Sequence, residues 1–188
     1  MSFESNANRN IFSVDAERTR LVEPSLYGHW AVGAVVMRPD RTIVEEFTGM
    51  IDPSSLRVSD FVKREIVPYV HLPEYKSSKD MLNAFWDFWM DHGGNNRAMA
   101  VADFGAPVEA PLFAAAQALD LDRREFAGPY PLHELGTRLL DAGTDPDIDR
   151  IAFANQGTDF TKHDPRDDAV VAAHCWLNAG DILYDRRR

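Results

Sequence analysis

Apolar and polar residues follow two different periods along the chain, and the change of period divides it into a first part of strands and a second part made mainly of helices. β-Branched and aromatic residues concentrate in three early segments, at residues 10–16, 30–37 and 42–50, and this composition is typical of strands. Residues 38–41 separate the second segment from the third, and Pro39 within them favours a turn. The pattern therefore predicts a meander of three antiparallel strands.

Apolar residues recur at helical spacing through most of the remaining chain. The exception is a short apolar run at residues 97–102, which indicates a buried strand. Because helices precede and follow this strand, we expect it to join the sheet in parallel through a crossover. The predicted fold class is α/β, a mixed sheet of three antiparallel strands plus parallel strands flanked by helices, in a single domain over residues 1–188. Five helices are predicted. The first begins at Ser59 or Asp60, the second begins at Ser77 or Ser78, and the other three span residues 107–119, 132–142 and 165–178.

Composition limits the classes of protein to which the chain can belong. Its 188 residues carry a formal net charge of −10, which argues against a protein that coats duplex nucleic acid through bulk positive charge. The sequence lacks an uncharged apolar stretch of about 18 residues, so no membrane span is expected. The polar first nine residues lack the pattern of a signal peptide. Cys175 is the single cysteine, which fits a reducing compartment and predicts a cytoplasmic location.

Two carboxylates stand at the end of the first predicted strand, in Asp15-Ala16-Glu17. Residues two apart on a strand point to the same face, so both acids should lie side by side. Like charges at that distance repel unless a cation lies between them, and Mg²⁺ prefers oxygen ligands. The motif is therefore a candidate metal site, and the alternative is a strand that ends in an acidic, solvated loop.

A second acidic cluster opens the last predicted helix. Asp164 is suited to be its N-cap and Pro165 its first residue. Asp167 would lie in the first turn, where the helix dipole stabilises a negative charge. Asp168 lacks such an explanation, because it shares a face with small apolar residues, where an unpaired carboxylate is costly. We therefore expect either a cation beside Asp168, with His163 aimed at the same place, or a helix rotated from this register.

Two further acids lie in the middle of the chain. Asp103 follows the predicted buried strand, at the edge where ligand sites of α/β sheets tend to lie. Glu109 lies in the first turn of the next predicted helix, which is also a common place for Glu for structural reasons alone. The two acids are alternatives for one role, and the sequence leaves the choice between them open.

The acids from three distant parts of the chain, with one histidine, resemble the motifs of the DEDDh 3′→5′ exonuclease superfamily. That superfamily has a ribonuclease H-like fold and includes ribonuclease T and oligoribonuclease. Asp15 and Glu17 match its first motif, D-x-E, and His163 and Asp168 match its last motif, in which an Asp follows the His by five positions.

The middle motif departs from the family pattern. Residues 108–113 take its place, so that Glu109 stands where the family usually has Asp, and Asp103 stands where many members have Asn. The departure leaves one metal ligand undecided between these two residues.

The resemblance implies a metal-dependent 3′→5′ exonuclease that releases nucleoside 5′-monophosphates, and small stand-alone members of the superfamily are often exoribonucleases. Two divalent cations, Mg²⁺ or Mn²⁺, would lie about 3.5–4 Å apart around the scissile phosphate. His163 would be the general base that accepts a proton from the attacking water. The implied ligands are Asp15 for both ions, Glu17 and Asp168 for one of them, and Asp103 or Glu109 for the other.

The resemblance also implies a substrate and an assembly. The substrate would be the 3′ end of single-stranded RNA or DNA, and the assembly would be a homodimer. Tyr27 and His29 are candidates for base stacking, although packing in the core is the alternative for both. The candidates for substrate contact are Thr19, Leu21, Phe104 and Lys162.

A second function remains open at this point, namely a nuclease-like fold that binds nucleic acid or a protein without cleaving it. The nonstandard middle motif is the observation that supports it. A titration with Mn²⁺ during thermal unfolding separates the two functions, because a metal that binds only the native state raises its stability.

Overall fold

The computed structural model describes residues 9–19, 28–157, 160–186 and 188. Five strands and seven α-helices lie within these ranges. The strands are β1 (Asn10–Arg18), β2 (His29–Met37), β3 (Ile43–Met50), β4 (Ala98–Ala102) and β5 (Leu132–Glu134). The helices are α1 (Asp60–Glu65), α2 (Ser78–His92), α3 (Ala110–Ala118), α4 (Leu121–Arg124), α5 (Leu135–Asp141), α6 (Arg150–Ala154) and α7 (Pro165–Asp185).

The strands form one mixed sheet in the order β3-β2-β1-β4-β5. β2 pairs with β1 on one side and with β3 on the other, and both pairings are antiparallel. β4 lies parallel to both β1 and β5. The predicted α/β class, with an antiparallel meander extended by parallel strands, is therefore confirmed. β1 is the central strand. Its residues 10–14 pair with β4, whereas residues 15–18 extend past the end of β4 and pair with β2 alone.

Helices cover both faces of the sheet. Even-numbered residues of β1, such as Phe12, belong to a core shared with α2 and α3, and Phe12 meets Trp89 edge-on with ring centroids 5.0 Å apart. Odd-numbered residues, such as Ile11, belong to a second core shared with α5 and α7. Because side chains alternate along a strand, Asp15 and Glu17 lie on the face that α7 covers.

The start of α7 lies directly against the sheet. Asp164 caps the helix by accepting hydrogen bonds from the amides of Arg166 and Asp167, and Pro165 is its first residue. Gly33 of β2, which pairs with Asp15 across the sheet, lies under this turn. A Cβ atom on Gly33 would lie 2.2 Å from the backbone nitrogen of Arg166. The absence of a side chain at Gly33 therefore lets α7 begin beside the acids of β1.

Gly33→Ala is expected to lower the free energy of unfolding by about 1–3 kcal/mol, because backbone atoms of α7 must move to admit the methyl group. The matched control is Gly136→Ala in α5, where an added Cβ has no neighbour within 4 Å and should instead increase stability by up to about 1 kcal/mol. Urea unfolding measures both effects. A Gly33→Ala protein as stable as the wild type would contradict the close approach.

Three sequence predictions differ from the structure. Residues 132–142 were expected to be one helix, but the first three pair with β4 as β5 and the helix begins at Leu135. A strand of three residues is too short to show a period of its own. The last helix continues to Asp185, beyond the expected end at residue 178, and the short helices α4 and α6 were not predicted. In the described part of the chain, every helix is too short or too polar to cross a membrane.

Candidate metal centre

Three of the expected residues meet where β1 ends beside the start of α7. One ligand atom each from Glu17, His163 and Asp168 lies within 4.8 Å of the other two. Nδ1 of His163 is 3.9 Å from Oε1 of Glu17, which is too long for a hydrogen bond. Residues almost 150 positions apart in the sequence are thus brought to one place by the contact of α7 with the sheet.

The loop before α7 is fixed by the first turn of that helix. The amide of Thr161 donates to Oδ2 of Asp167 at 2.8 Å, and the amide of His163 donates to Oδ2 of Asp168 at 3.1 Å. His163 has a φ of 67°, in the left-handed region, which is uncommon outside Gly although Asn, Asp and His adopt it more often than other residues. Backbone strain of this kind is often kept where a side chain must point in a functional direction.

The carboxyls of this cluster hold their protons unusually tightly. Burial, followed by the charge of Asp168, raises the pKa of Glu17 to about 8. Burial, together with neighbouring acids, raises the pKa of Asp168 to about 7. The pKa of Asp15 is also raised well above its ordinary value, first by burial and then by the charge of Glu109. A cation between these groups would remove the repulsion and favour their ionised forms.

Glu109 is a fully buried acid without a hydrogen-bond partner on either carboxyl oxygen among the described residues. Burial raises its pKa to about 8, although the nearby amides of Glu109 itself and Ala16 lower it slightly. Of the charged groups around Asp15, Glu109 raises the pKa of Asp15 most, so the two carboxyls are close neighbours. A buried polar group without a partner is costly, and a bound cation would satisfy it.

Asp103, the other candidate from the middle of the chain, is already neutralised. Its two oxygens accept three hydrogen bonds of 2.9–3.0 Å from the guanidinium of Arg150 in α6. Such a bidentate pair leaves little affinity for a further cation. Asp103 thus fixes α6 against the end of β4, whereas Glu109 keeps its oxygens available.

The donor set fits a hard divalent cation. Asp15, Glu17, Glu109 and Asp168 supply carboxylate oxygens, which Mg²⁺ and Mn²⁺ prefer. The most direct sign of this fit is the fully buried carboxyl of Glu109, whose oxygens make no hydrogen bond of ordinary geometry among the described residues.

A cleft of about 560 Å³ opens beside His163. Phe61 of α1 and Tyr69 form one wall, and both rings are about half exposed, at 57% and 51%. Glu65, Thr161 and Lys162 also line the cleft, the last two next to the histidine in the chain. Neither Phe61 nor Tyr69 was predicted from the sequence as a site residue. The sequence signal that could have indicated Phe61 is its place beside Val62 in α1, because a helix that buries Val62 leaves Phe61 on its outer side.

The other expected substrate contacts lie in different environments. Phe104 is 58% exposed, and Lys162 is exposed at the cleft. Thr19 is buried, and its backbone bonds to Gly28 and Ser59, so its contact with substrate stays a prediction. Leu21 and Tyr27 lie outside the described residues.

His29 is packed in the core and is not available for base stacking. It is 1% exposed, which excludes contact between its ring and a base. Its Nε2 lies 2.9 Å from the carbonyl oxygen of Val108. Core packing, the alternative considered for His29 in the sequence, is therefore what the structure shows.

Neither the known protein-family models nor the curated proteins contain a match to this sequence. The resemblance to the DEDDh exonucleases therefore stays a prediction from the motif residues of the sequence.

Proposed function

We propose that the protein is a metal-dependent 3′→5′ exonuclease with a ribonuclease H-like fold, and that it removes nucleoside 5′-monophosphates from single-stranded RNA. The observation that carries this proposal is the convergence of Glu17, His163 and Asp168 within 4.8 Å. The D-x-E and His-Asp motifs were selected from the sequence for their resemblance to such enzymes. Their proximity supports a shared site.

The metal ligands we assign are carboxyls of Asp15, Glu17, Glu109 and Asp168. Glu109 is preferred to Asp103, because Arg150 binds both oxygens of Asp103, whereas the oxygens of Glu109 make no hydrogen bond of ordinary geometry among the described residues. When bound, two divalent cations would polarise the scissile phosphate and stabilise charge on the attacking and leaving oxygens.

His163 is suited to accept the proton of the attacking water. Burial and the charge of Lys162 lower the pKa of His163, although Glu65 opposes them, so the ring is neutral near pH 7 and has a free nitrogen lone pair. Its 3.9 Å distance from Glu17 leaves Nδ1 without a strong hydrogen bond to that acid. The hydrogen bond from its amide to Asp168 holds the loop that carries it.

The cleft beside His163 favours a single strand over a duplex. Phe61 and Tyr69 offer half-exposed rings on which bases can stack, and Lys162 lies where it can meet a phosphate. A duplex would depend on many phosphate contacts, which a chain with a net charge of −10 is poorly suited to supply. RNA is the expected polymer because small stand-alone members of the resembled superfamily are often exoribonucleases.

The test uses 5′-labelled ten-nucleotide RNA and DNA with Mn²⁺, Mg²⁺ or EDTA. We expect stepwise shortening from the 3′ end, release of nucleoside 5′-monophosphates, faster cleavage of RNA than of DNA, and no reaction in EDTA. A circular RNA of the same sequence is the control, since it has no 3′ end and should stay intact. Cleavage of the circle, or no release with either metal, would overturn the proposal.

A further inference from the structure

The turn that carries Glu109 is held by side chains from distant strands. Residues Gly105–Glu109 form a single π-helical turn between β4 and α3. Such turns are rare and occur often at functional sites. The turn ends at Glu109, and the carboxyl of Glu109 lacks hydrogen bonds of its own among the described residues. The backbone of the turn must therefore fix where this carboxyl lies.

Two buried side chains bind the carbonyl groups immediately before Glu109. Nη1 of Arg18, at the end of β1, donates to the carbonyl oxygen of Pro107 at 2.8 Å. Nε2 of His29, at the start of β2, lies 2.9 Å from the carbonyl oxygen of Val108. Arg18 and His29 pair with each other across the two strands and are 8% and 1% exposed.

The chemistry of His29 fits a donor role. Burial lowers the pKa of His29 to about 4. The hydrogen bond to Val108 opposes this shift, and the charge of Arg18 adds to it. The ring is therefore neutral at pH 7, and because a carbonyl can only accept, the single N–H must be on Nε2.

A third contact fixes the other end of the turn. The amide of Gly105 donates to the carboxyl of Glu134 in β5, which lowers the pKa of that acid against the larger effect of burial. A Cβ atom on Gly105 would lie 2.5 Å from Oε2 of Glu134. Side chains of β1, β2 and β5 thus hold a turn that follows β4, so the sheet itself defines the position of Glu109.

We propose that Arg18 and His29 are positioning residues that hold Glu109 in the metal site. The proposal rests on the proposed function, since it takes Glu109 as a metal ligand. Neither residue is assigned as a metal ligand or as a substrate contact. Removing either donor frees a buried carbonyl and lets the turn, and with it the carboxyl of Glu109, move.

The test is Mn²⁺ binding to the full chain by titration calorimetry, with conservative variants as matched controls. His29→Leu and Arg18→Met remove the donors, whereas His29→Gln and Arg18→Lys each keep a side-chain N–H donor. We expect Mn²⁺ affinity to fall at least about tenfold in the first pair, as is typical when a residue behind a metal ligand is lost. The second pair should bind within about threefold of the wild type.

Glu109→Gln shows whether the loss of Mn²⁺ affinity in these variants acts through Glu109. If it does, adding His29→Leu or Arg18→Met to Glu109→Gln weakens Mn²⁺ binding no further. An equal further loss in both double variants would overturn the proposal, as would wild-type affinity in both His29→Leu and Arg18→Met. Thermal unfolding in EDTA checks folding, and if His29→Leu does not fold, the Arg18 pair decides the outcome. A wild type that binds no Mn²⁺ would instead overturn the proposed function, and this proposal with it.

Discussion

Asp15→Asn is expected to slow the release of mononucleotides from RNA by at least about 1,000-fold. Asp15 is buried, and the charges of Glu109, Asp168 and Glu17 all raise its pKa further, so it is the acid that both groups of carboxyls affect. An amide of the same shape supplies one weak neutral ligand in place of a carboxylate. Metal ions contribute several kcal/mol of transition-state stabilisation, and about 1.4 kcal/mol corresponds to a tenfold change in rate.

His163→Asn is the matched comparison for Asp15→Asn. Asn tolerates the left-handed backbone of residue 163, so the loop should keep its conformation. Loss of a general base typically lowers the rate by about 10²–10⁴-fold, and Mn²⁺ affinity should stay within about threefold of the wild type. Asp15→Asn should lose both the rate and the affinity.

Single-turnover rates and Mn²⁺ calorimetry on the two variants measure these differences. His92→Asn is the control, because His92 ends α2, on the opposite face of the sheet from α7, and its ring contacts Phe88. Wild-type rates in Asp15→Asn would contradict the assignment of the metal site. Loss of Mn²⁺ binding in His163→Asn would make His163 a ligand and contradict its role as general base.

The metal-free protein is expected to lose stability as the pH rises from 6 to 8.5, and Mn²⁺ is expected to restore it. Folding raises the pKa of Glu17 and Glu109 to about 8 and that of Asp168 to about 7. The native state therefore binds more protons than the unfolded state between about pH 4.5 and 8. Stability falls wherever this is so, by an amount on the order of a few kcal/mol over the interval.

Bound Mn²⁺ should reverse this trend, because a cation binds the ionised carboxylates and its affinity rises as they lose their protons. Melting temperatures in EDTA and in millimolar Mn²⁺, measured at half-unit steps of pH, test both effects. Glu109→Gln is the matched variant, since it removes one buried acid without a change of shape. It should be more stable than the wild type at pH 8.5 in EDTA and gain less from Mn²⁺. A melting temperature in EDTA that rises with pH would contradict the expectation.

The strands and the acidic motifs could be predicted because their signals are local. β-Branched residues mark the first three strands, and the spacing of Asp15 and Glu17 places both acids on one face of β1. Asp168 was expected on the buried side of its helix, and its neighbours Val171 and Cys175 are indeed buried.

The remainder depended on contacts between distant residues. The choice between Asp103 and Glu109 follows from Arg150, which is 47 positions from its partner and carries no local sign of that pairing. His29 differs from a stacking residue only through its contact with Val108, 79 positions away. Sequence periodicity reports burial and secondary structure, but not which buried donor meets which acceptor.

The buried carboxyl of Glu109 has a consequence for the lifetime of the protein in a cell. If divalent cations bind this carboxyl as proposed, a shortage of them would increase the fraction of unfolded chains, because the buried acid then lacks its cation. Proteases act on that fraction, so degradation should quicken when cations are scarce. Abundance, and not only turnover of substrate, would then follow the supply of cations.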